Sequence, residues 1–275
     1  MAVLKWDQSG ERKYETGVDR GVLFVQNING TYGKGVAWNG LTGVTETPSG
    51  AEETKLYADN MKYLSLRSAE EFGGTIEAYT YPDEWQMCDG SANLATGVHV
   101  GQQARRSFGM SYRTVVGNDT ALTDFGYKLH LVYGATVSPS ERAYATINDS
   151  PEAITFSWEF TTTPIEIPAE VGDFKPTAIL TIDTTELEGG KNNAALKDLE
   201  DLLYGTANSD PSLPLPSAVF DLFTPTYIYT EVTNPSVDDI ATYYERSGEE
   251  GSYVYTLTED VAINSEKTYY TRSEA

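Results

Sequence analysis

Cysteine and histidine are nearly missing from this sequence. Cys88 stands alone, which excludes an intramolecular disulfide framework and a cysteine-rich zinc module. His99 and His130 are the two histidines, and neither has a ligand-type residue two or four positions on. Cations are scarce too. Lys and Arg number 19 against 41 Asp and Glu, for a net charge of −22 and a pI of about 4.3. Phosphate binding runs on Lys and Arg, so this balance argues against a protein that grips nucleic acid. It argues equally against docking on an anionic membrane. No apolar run is long enough to cross a bilayer as a helix, so no membrane-spanning helix is predicted. Met1 to Gly10 holds Lys5, Trp6 and Asp7 in place of an apolar stretch. No signal peptide is therefore predicted, and synthesis in a cytoplasm is expected.

What is present is a chain of 275 residues, 40% hydrophobic and 12% aromatic, long enough to bury a real core. The first ~170 residues alternate with period two, as half-buried strands do. In 154–161, Ile154, Phe156, Trp158 and Phe160 share one face, and Thr155, Ser157, Glu159 and Thr161 the other. In 127–133, Tyr127, Leu129, Leu131 and Tyr133 oppose Lys128, His130 and Val132, which puts His130 on the polar face. The stretches 75–81, 110–116 and 178–183 are further strand candidates. Gly73-Gly74, Gly117-Asn118-Asp119 and Ser138-Pro139-Ser140 read as turns, and so does Asn148-Asp149-Ser150. Strands with one apolar face must bury it against another layer, so a sandwich or barrel is expected.

A helix is predicted at about 194–204, with Asn193 as N-cap and Gly205 at the C-terminal cap position. Leu196, Leu199, Leu202 and Leu203 lie on one face of it. Pro211, Pro214 and Pro216 predict an extended connector. The tail carries an internal repeat in constant register. Tyr227-Ile228-Tyr229-Thr230 returns as Tyr253-Val254-Tyr255-Thr256, and Thr242-Tyr243-Tyr244-Glu245-Arg246-Ser247 as Thr268-Tyr269-Tyr270-Thr271-Arg272-Ser273. Each copy reads as a β-hairpin, and two hairpins make a four-stranded sheet. The domain boundary is placed at Thr224-Pro225, giving a core of 1–224 and an appendage of 225–275.

Enzyme chemistry finds no constellation. The loop Asn29 to Gly35 has Gly35 after Lys34, where a phosphate cradle needs Ser or Thr. The pairs Glu52-Glu53, Glu70-Glu71, Asp83-Glu84 and Glu249-Glu250 are adjacent carboxylates such as 41 acids produce by chance. Cys88 has no basic neighbour to lower its pKa and reads as an inert thiol. Arg105-Arg106, with Arg113, is the one basic cluster. A salt bridge to an acidic neighbouring subunit is the favoured role for it.

The order of several stretches resembles the major tail protein, or tail tube protein, of long-tailed non-contractile bacteriophages. The stretches are Trp6-Asp7 through Tyr14-Glu15-Thr16-Gly17-Val18-Asp19-Arg20-Gly21, Trp38-Asn39-Gly40-Leu41-Thr42-Gly43-Val44 and Tyr57-Ala58-Asp59-Asn60-Met61-Lys62-Tyr63. They continue with Glu77-Ala78-Tyr79-Thr80-Tyr81-Pro82, Phe108-Gly109-Met110-Ser111-Tyr112-Arg113, Gly126 to Tyr133 and Phe156-Ser157-Trp158-Glu159-Phe160. The likeness covers about 1–224 of the chain. It implies a mainly β fold, a two-sheet β-sandwich with one flanking helix, to which the tail repeat adds a small β element. It also implies homo-hexameric rings stacked into a virion tail tube, through which DNA passes to the host without specific binding. The tail terminator, tape measure and tail tip proteins are the implied partners, and the host bacterial cytoplasm the implied place of synthesis. No active site, cofactor, metal or membrane contact is implied.

On this reading Trp6, Asp7, Tyr14, Trp38 and Tyr57 are candidates for contacts between rings, in the segment Met1–Arg20 and the loop from about Gly40 to Ala58. Glu77, Arg113, Lys128 and Glu159 are polar-face candidates on the ring-closing strands. Tyr243, Tyr244, Tyr269 and Tyr270 are surface candidates of the appendage, which decorates the tube, stacks on host-surface glycans or serves as a lid. Six copies at −22 each carry a formal charge of −132, so like-charge repulsion between wall and DNA would ease transit. A carbohydrate-binding or adhesive sandwich, a secretion-tube component and a carboxylate-pair hydrolase remain as alternatives.

Overall fold

The computed structural model describes residues 4–147, 149, 153–168, 174–224, 227–233, 236, 243–247, 254–257, 263–264 and 267–274. The fold is mainly β. In chain order the strands of the larger unit are β1 (Lys13–Val25), β2 (Val36–Ala37), β3 (Leu41–Glu46), β4 (Ser49–Gly50), β5 (Glu53–Ala58), β6 (Met61–Arg67), β7 (Glu70–Glu71) and β8 (Gly73–Ala78). A 3-10 turn, Asp83–Trp85, leads into α1 (Gln86–Asp89), followed by β9 (Ala92–Ala95), β10 (Val98–Val100), β11 (Phe108–Asn118), β12 (Leu122–Val137), β13 (Phe156–Thr162) and β14 (Ile179–Asp183). α2 (Ala194–Tyr204) follows, and α3 (Pro216–Phe223) runs across the boundary between this unit and the next. The chain divides into two compact units, Met1–Phe220 and Asp221–Ala275. The predicted boundary lies a few positions further on, and Pro225 is outside the described residues. So are Asn148 and Ser150 of one expected turn and the acidic pair Glu249-Glu250.

The main sheet has eight strands in the order β2-β1-β11-β12-β13-β8-β3, with β14 also paired to β12. All of its ladders are antiparallel. β12 is the pivot. Its positions 128–132 pair with β14, and 135–137 pair with β13. Gly134 lies between the two stretches at φ 58, and a Cβ there would strike the carbonyl of Thr163. Glycine thus lets one strand change partners. Gly73-Gly74 is no turn. Both residues sit inside β8, where the aromatic edge of Phe160 and the carbonyl of Thr45 close over Gly74 and leave no room for a side chain.

The core gathers Leu23, Ile76, Ala78, Met110, Tyr112, Val132, Trp158 and Phe160. At its centre Trp38, Trp85 and Trp158 meet with ring centroids 4.6–5.8 Å apart. The opposite face of β12 is covered as well. Leu196, Leu199 and Leu203 of α2 are buried, and the Tyr127 hydroxyl donates to Glu200 on that helix at 2.9 Å. Both faces of β12 are therefore enclosed. His130, expected on a polar face, is buried at 8% exposure, and Val132 is fully buried.

Asn193 caps α2 as predicted, its Oδ1 accepting from the Leu196 amide at 3.0 Å. The predicted proline connector is only partly extended, because Pro216 opens α3. Proline is tolerated at a first helical position, where its missing N–H would have no intrahelical partner.

The smaller unit forms one four-stranded sheet from β15 (Tyr227–Glu231), β16 (Tyr244–Ser247), β17 (Val254–Leu257) and β18 (Tyr269–Glu274), in the order β15-β18-β16-β17. The two predicted hairpins are not formed. The first strand of each repeat pairs with the second strand of the other, and β16 meets β18 through Tyr244 opposite Tyr270. These two tyrosines are equivalent in the repeat, so the pairing has a pseudo-twofold relation. Thr242 and Tyr253 lie outside the described residues.

Candidate functional site

The feature that most needs a partner is built from the stretch 41–78. β3 pairs with β8, β4 with β7 and β5 with β6, so the chain runs out and back as one antiparallel ribbon. Asp59 and Asn60, at φ 49 and 61, make its tip. Two successive positive φ values are what a two-residue hairpin turn of the right twist requires. From Thr47 to the tip the ribbon is roughly 40 Å if straight, at about 3.3 Å per residue.

Paired residues of an antiparallel ladder share a side. Thr54 with Leu66 and Leu56 with Leu64 therefore form an apolar side. Glu53 with Arg67 and Lys55 with Ser65 form the other. There the Glu53 carboxylate accepts from Lys62 and Ser65, and these bonds hold it below its ordinary pKa. All of β5 is exposed, and all of β6 except half-buried Ser65. Leu56, Leu64 and Leu66 remain 40%, 44% and 51% exposed. A lone two-stranded ribbon is marginal in water, and an amphipathic one with its apolar side open lacks the layer it should lie against.

A second surface is polar. On β3, β8 and β13 the side chains opposite the core are Thr45, Thr75, Glu77, Ser157 and Glu159, with Gly43 between them. Glu77 and Glu159 are exposed, and this face includes no lysine or arginine. β3 pairs only with β8, and no described strand occupies its other edge.

The remaining candidates fall in different places. Trp6 is 76% exposed, in the segment before β1. Asp7 takes φ 53, and its carbonyl accepts from Arg12 at 2.7 and 3.1 Å. Met1 to Val3 of that segment lie outside the described residues. Tyr14 is 43% exposed, with its ring over Gly117, and Tyr57 is 68% exposed on the arm. Trp38, a candidate surface anchor, is instead a core residue, 4% exposed, its indole donating to the Thr80 carbonyl at 3.0 Å. Arg113 is committed within the chain. Its guanidinium makes two bonds to Asp19, at 2.7 and 2.6 Å, which raise its pKa, and it lies over the Tyr127 ring. Lys128 is bound by Glu15, with Asp183 at 3.8 Å.

In the smaller unit, Tyr243, Tyr269 and Tyr270 are not the surface residues expected. They are buried, at 1–4% exposure. Tyr243 and Tyr269 pack together with centroids 5.6 Å apart, and Tyr244 is half-buried. These side chains hold the small sheet together. Cys88 is fully buried, and burial pushes its thiol up to about 12.

No protein-family model matches this chain, and no curated protein matches it.

Proposed function

We propose that this chain is a structural subunit that assembles with copies of itself into stacked hexameric rings, forming a tube of the phage-tail type through which DNA passes. The observation that carries this reading is the arm spanning 49–71, whose apolar side stands open to solvent. An arm of this kind gains its missing layer on a neighbouring copy, and head-to-tail contacts of that sort propagate as a filament. The free edge of β3 supports the same reading, since closing a ring by pairing edges removes a template for uncontrolled aggregation.

On this proposal the main sheet bends at Gly134 into two packed layers, a sandwich with α2 on its flank. The face bearing Glu77 and Glu159 lines the lumen. A wall with acids and no cations repels phosphate and keeps DNA from adhering. The tail terminator, tape measure and tail tip proteins are the proposed partners at the ends and along the axis, and the virion tail is the proposed location. The smaller unit is proposed to lie outside the lumen. With three of its four candidate tyrosines buried, nothing favours sugar stacking on them.

The test is negative-stain microscopy and sedimentation of the purified chain as its concentration rises. Rings or tubes are expected. A chain that remains monomeric under all assembly conditions, or binds a carbohydrate column as a monomer, overturns the reading.

A further inference from the structure

A cavity of about 180 Å³ lies beside the end of α1, between the loop before β11 and the loop after β12. Two arginines, Arg105 and Arg142, line it. Asp89 holds both. Its backbone carbonyl accepts from Arg105 at 3.0 Å, and its carboxylate accepts from Arg142. The Asp89 side chain is itself 4% exposed, and its second carboxylate oxygen is taken by the Ser91 amide at 3.1 Å. Both carboxylate oxygens of Asp89 are thus engaged within the protein.

Both guanidiniums are fixed on further sides. Arg142 lies over the rings of Tyr81 and Phe156 at 5.7 and 5.9 Å. Gly90, at φ 85, lets the Arg105 guanidinium lie where a Cβ would be only 3.3 Å from it. Fixing an arginine in advance removes the entropy cost of ordering its long side chain on binding. Each guanidinium carries five N–H donors, and the bonds to Asp89 use only part of them. The lining holds two arginines against one carboxylate, a local positive excess on a chain of net −22. Ser91, Ser138 and Ser140 add small polar groups to the wall.

We propose that this cavity is an oxyanion site, in which Arg105 and Arg142 bind a carboxylate or phosphate group. Planar guanidinium forks match such groups through paired N–H bonds. The ligand is either a small free anion or an acidic side chain of a second copy. The site itself does not rest on the tube reading, because a free anion can be tested on the dispersed subunit.

The experiment uses the full chain, the variant Arg105→Gln, and Lys191→Gln as a control of equal charge change that does not line the cavity. Arg105 is exposed, so its replacement leaves the Asp89–Arg142 pair in place. Calorimetry with inorganic phosphate and with citrate at low ionic strength is the first readout, and sedimentation of the chain alone is the second. Saturable anion binding that weakens about tenfold or more in Arg105→Gln, and not in the control, supports a free-anion site. No anion binding, but self-association lost in Arg105→Gln alone, supports a carboxylate from a second copy. If neither readout separates Arg105→Gln from the control, the proposal falls. The melting temperature of each variant shows that a negative result does not come from unfolding.

Discussion

Replacing Leu64 and Leu66 by serine should raise the assembly threshold sharply without weakening the subunit's core. The two residues lie on the apolar side of the arm, 44% and 51% exposed, and Leu56 beside them is 40% exposed. Burying a leucine completely is worth about 1.5–3 kcal/mol. Covering the exposed portion of all three is therefore worth about 2–4 kcal/mol per arm, or roughly 30- to 1,000-fold in association. Leu64 and Leu66 supply about two thirds of that. A ring contact repeats six times in the proposed assembly, so the effect on the threshold concentration is steeper than on any one pair. In the free subunit the remaining half of each side chain packs within the ribbon itself, so the substitutions loosen the arm locally, and the core should melt within about 2 °C of the parent. Sedimentation velocity across a concentration series measures the first quantity, and a thermal melt below the assembly threshold the second. Assembly of the double variant at the parent's threshold concentration would refute the argument. So would a large fall in melting temperature, because it would place the arm's apolar side against its own subunit.

Three further outcomes follow from individual contacts. Trp38→Ala removes a buried indole from between Trp85 and Trp158 and should cost about 3–5 kcal/mol, lowering the melting temperature by about 6–20 °C; a surface anchor would show no such loss. His130 is held below its ordinary value by burial, although Glu46 and Glu15 oppose that shift, and Tyr112, Thr114, Thr181 and Lys128 also face it. The unfolded chain then takes the proton first, so this contribution is complete above about pH 6.5 and is lost as pH falls below it; His130→Gln should flatten the acid side of the stability curve relative to the parent. Ending the chain after position 247 should unravel β15 and β16 together, because each has its outer partner in the second repeat, whereas ending it after position 224 should leave assembly intact; limited proteolysis and microscopy read the two results.

The α2 helix is legible to the residue, because capping and a leucine stripe are local signals. The long strands are legible too, since β8, β11 and β13 alternate apolar residues that meet in one core. On β12 only one face is: Tyr127, Leu129, Leu131 and Tyr133 read as apolar and are buried on the side of α2, whereas the face read as polar enters the main core through Val132, because a strand covered on both sides need not alternate. The tail sequence announces its repeat but not its partners. Either pairing satisfies the same alternation, and only the three-dimensional closure chooses between them. The arm is half visible. Leu64 to Arg67 alternates, yet the pattern breaks at Tyr63-Leu64, where the ladder shifts register, and the turn is Asp59-Asn60, without the glycine that usually marks a tight hairpin, so the ribbon reads as a loop. Trp38 shows the opposite error, since a tryptophan next to a turn looks the same in sequence whether it points outward or inward.

Charge remains the property that sets how such a subunit behaves before it assembles. The smaller unit carries 11 acids against 3 bases and the larger 30 against 16, although the larger is about four times as long, so charge density is more than twofold higher in the smaller one. In the larger unit many cations are already committed internally. Lys34 pairs with Asp210, Lys62 with Glu53, Arg113 with Asp19, Lys128 with Glu15, Lys191 with Asp124 and Lys197 with Asp201. With these cations paired inside the subunit and acids in excess, two approaching copies meet largely as like charges while their leucines attract. In the proposed assembly charge then acts as a brake and the apolar arm as the drive. Salt separates the two, because the screening length falls from about 10 Å at 0.1 M to about 3 Å at 1 M while apolar burial is unaffected or strengthened. Assembly followed by light scattering should therefore begin at a lower protein concentration as sodium chloride rises from about 0.05 to about 0.5 M. A threshold that rises with salt would mean that ion pairs between subunits, and not the arm, supply the contact energy.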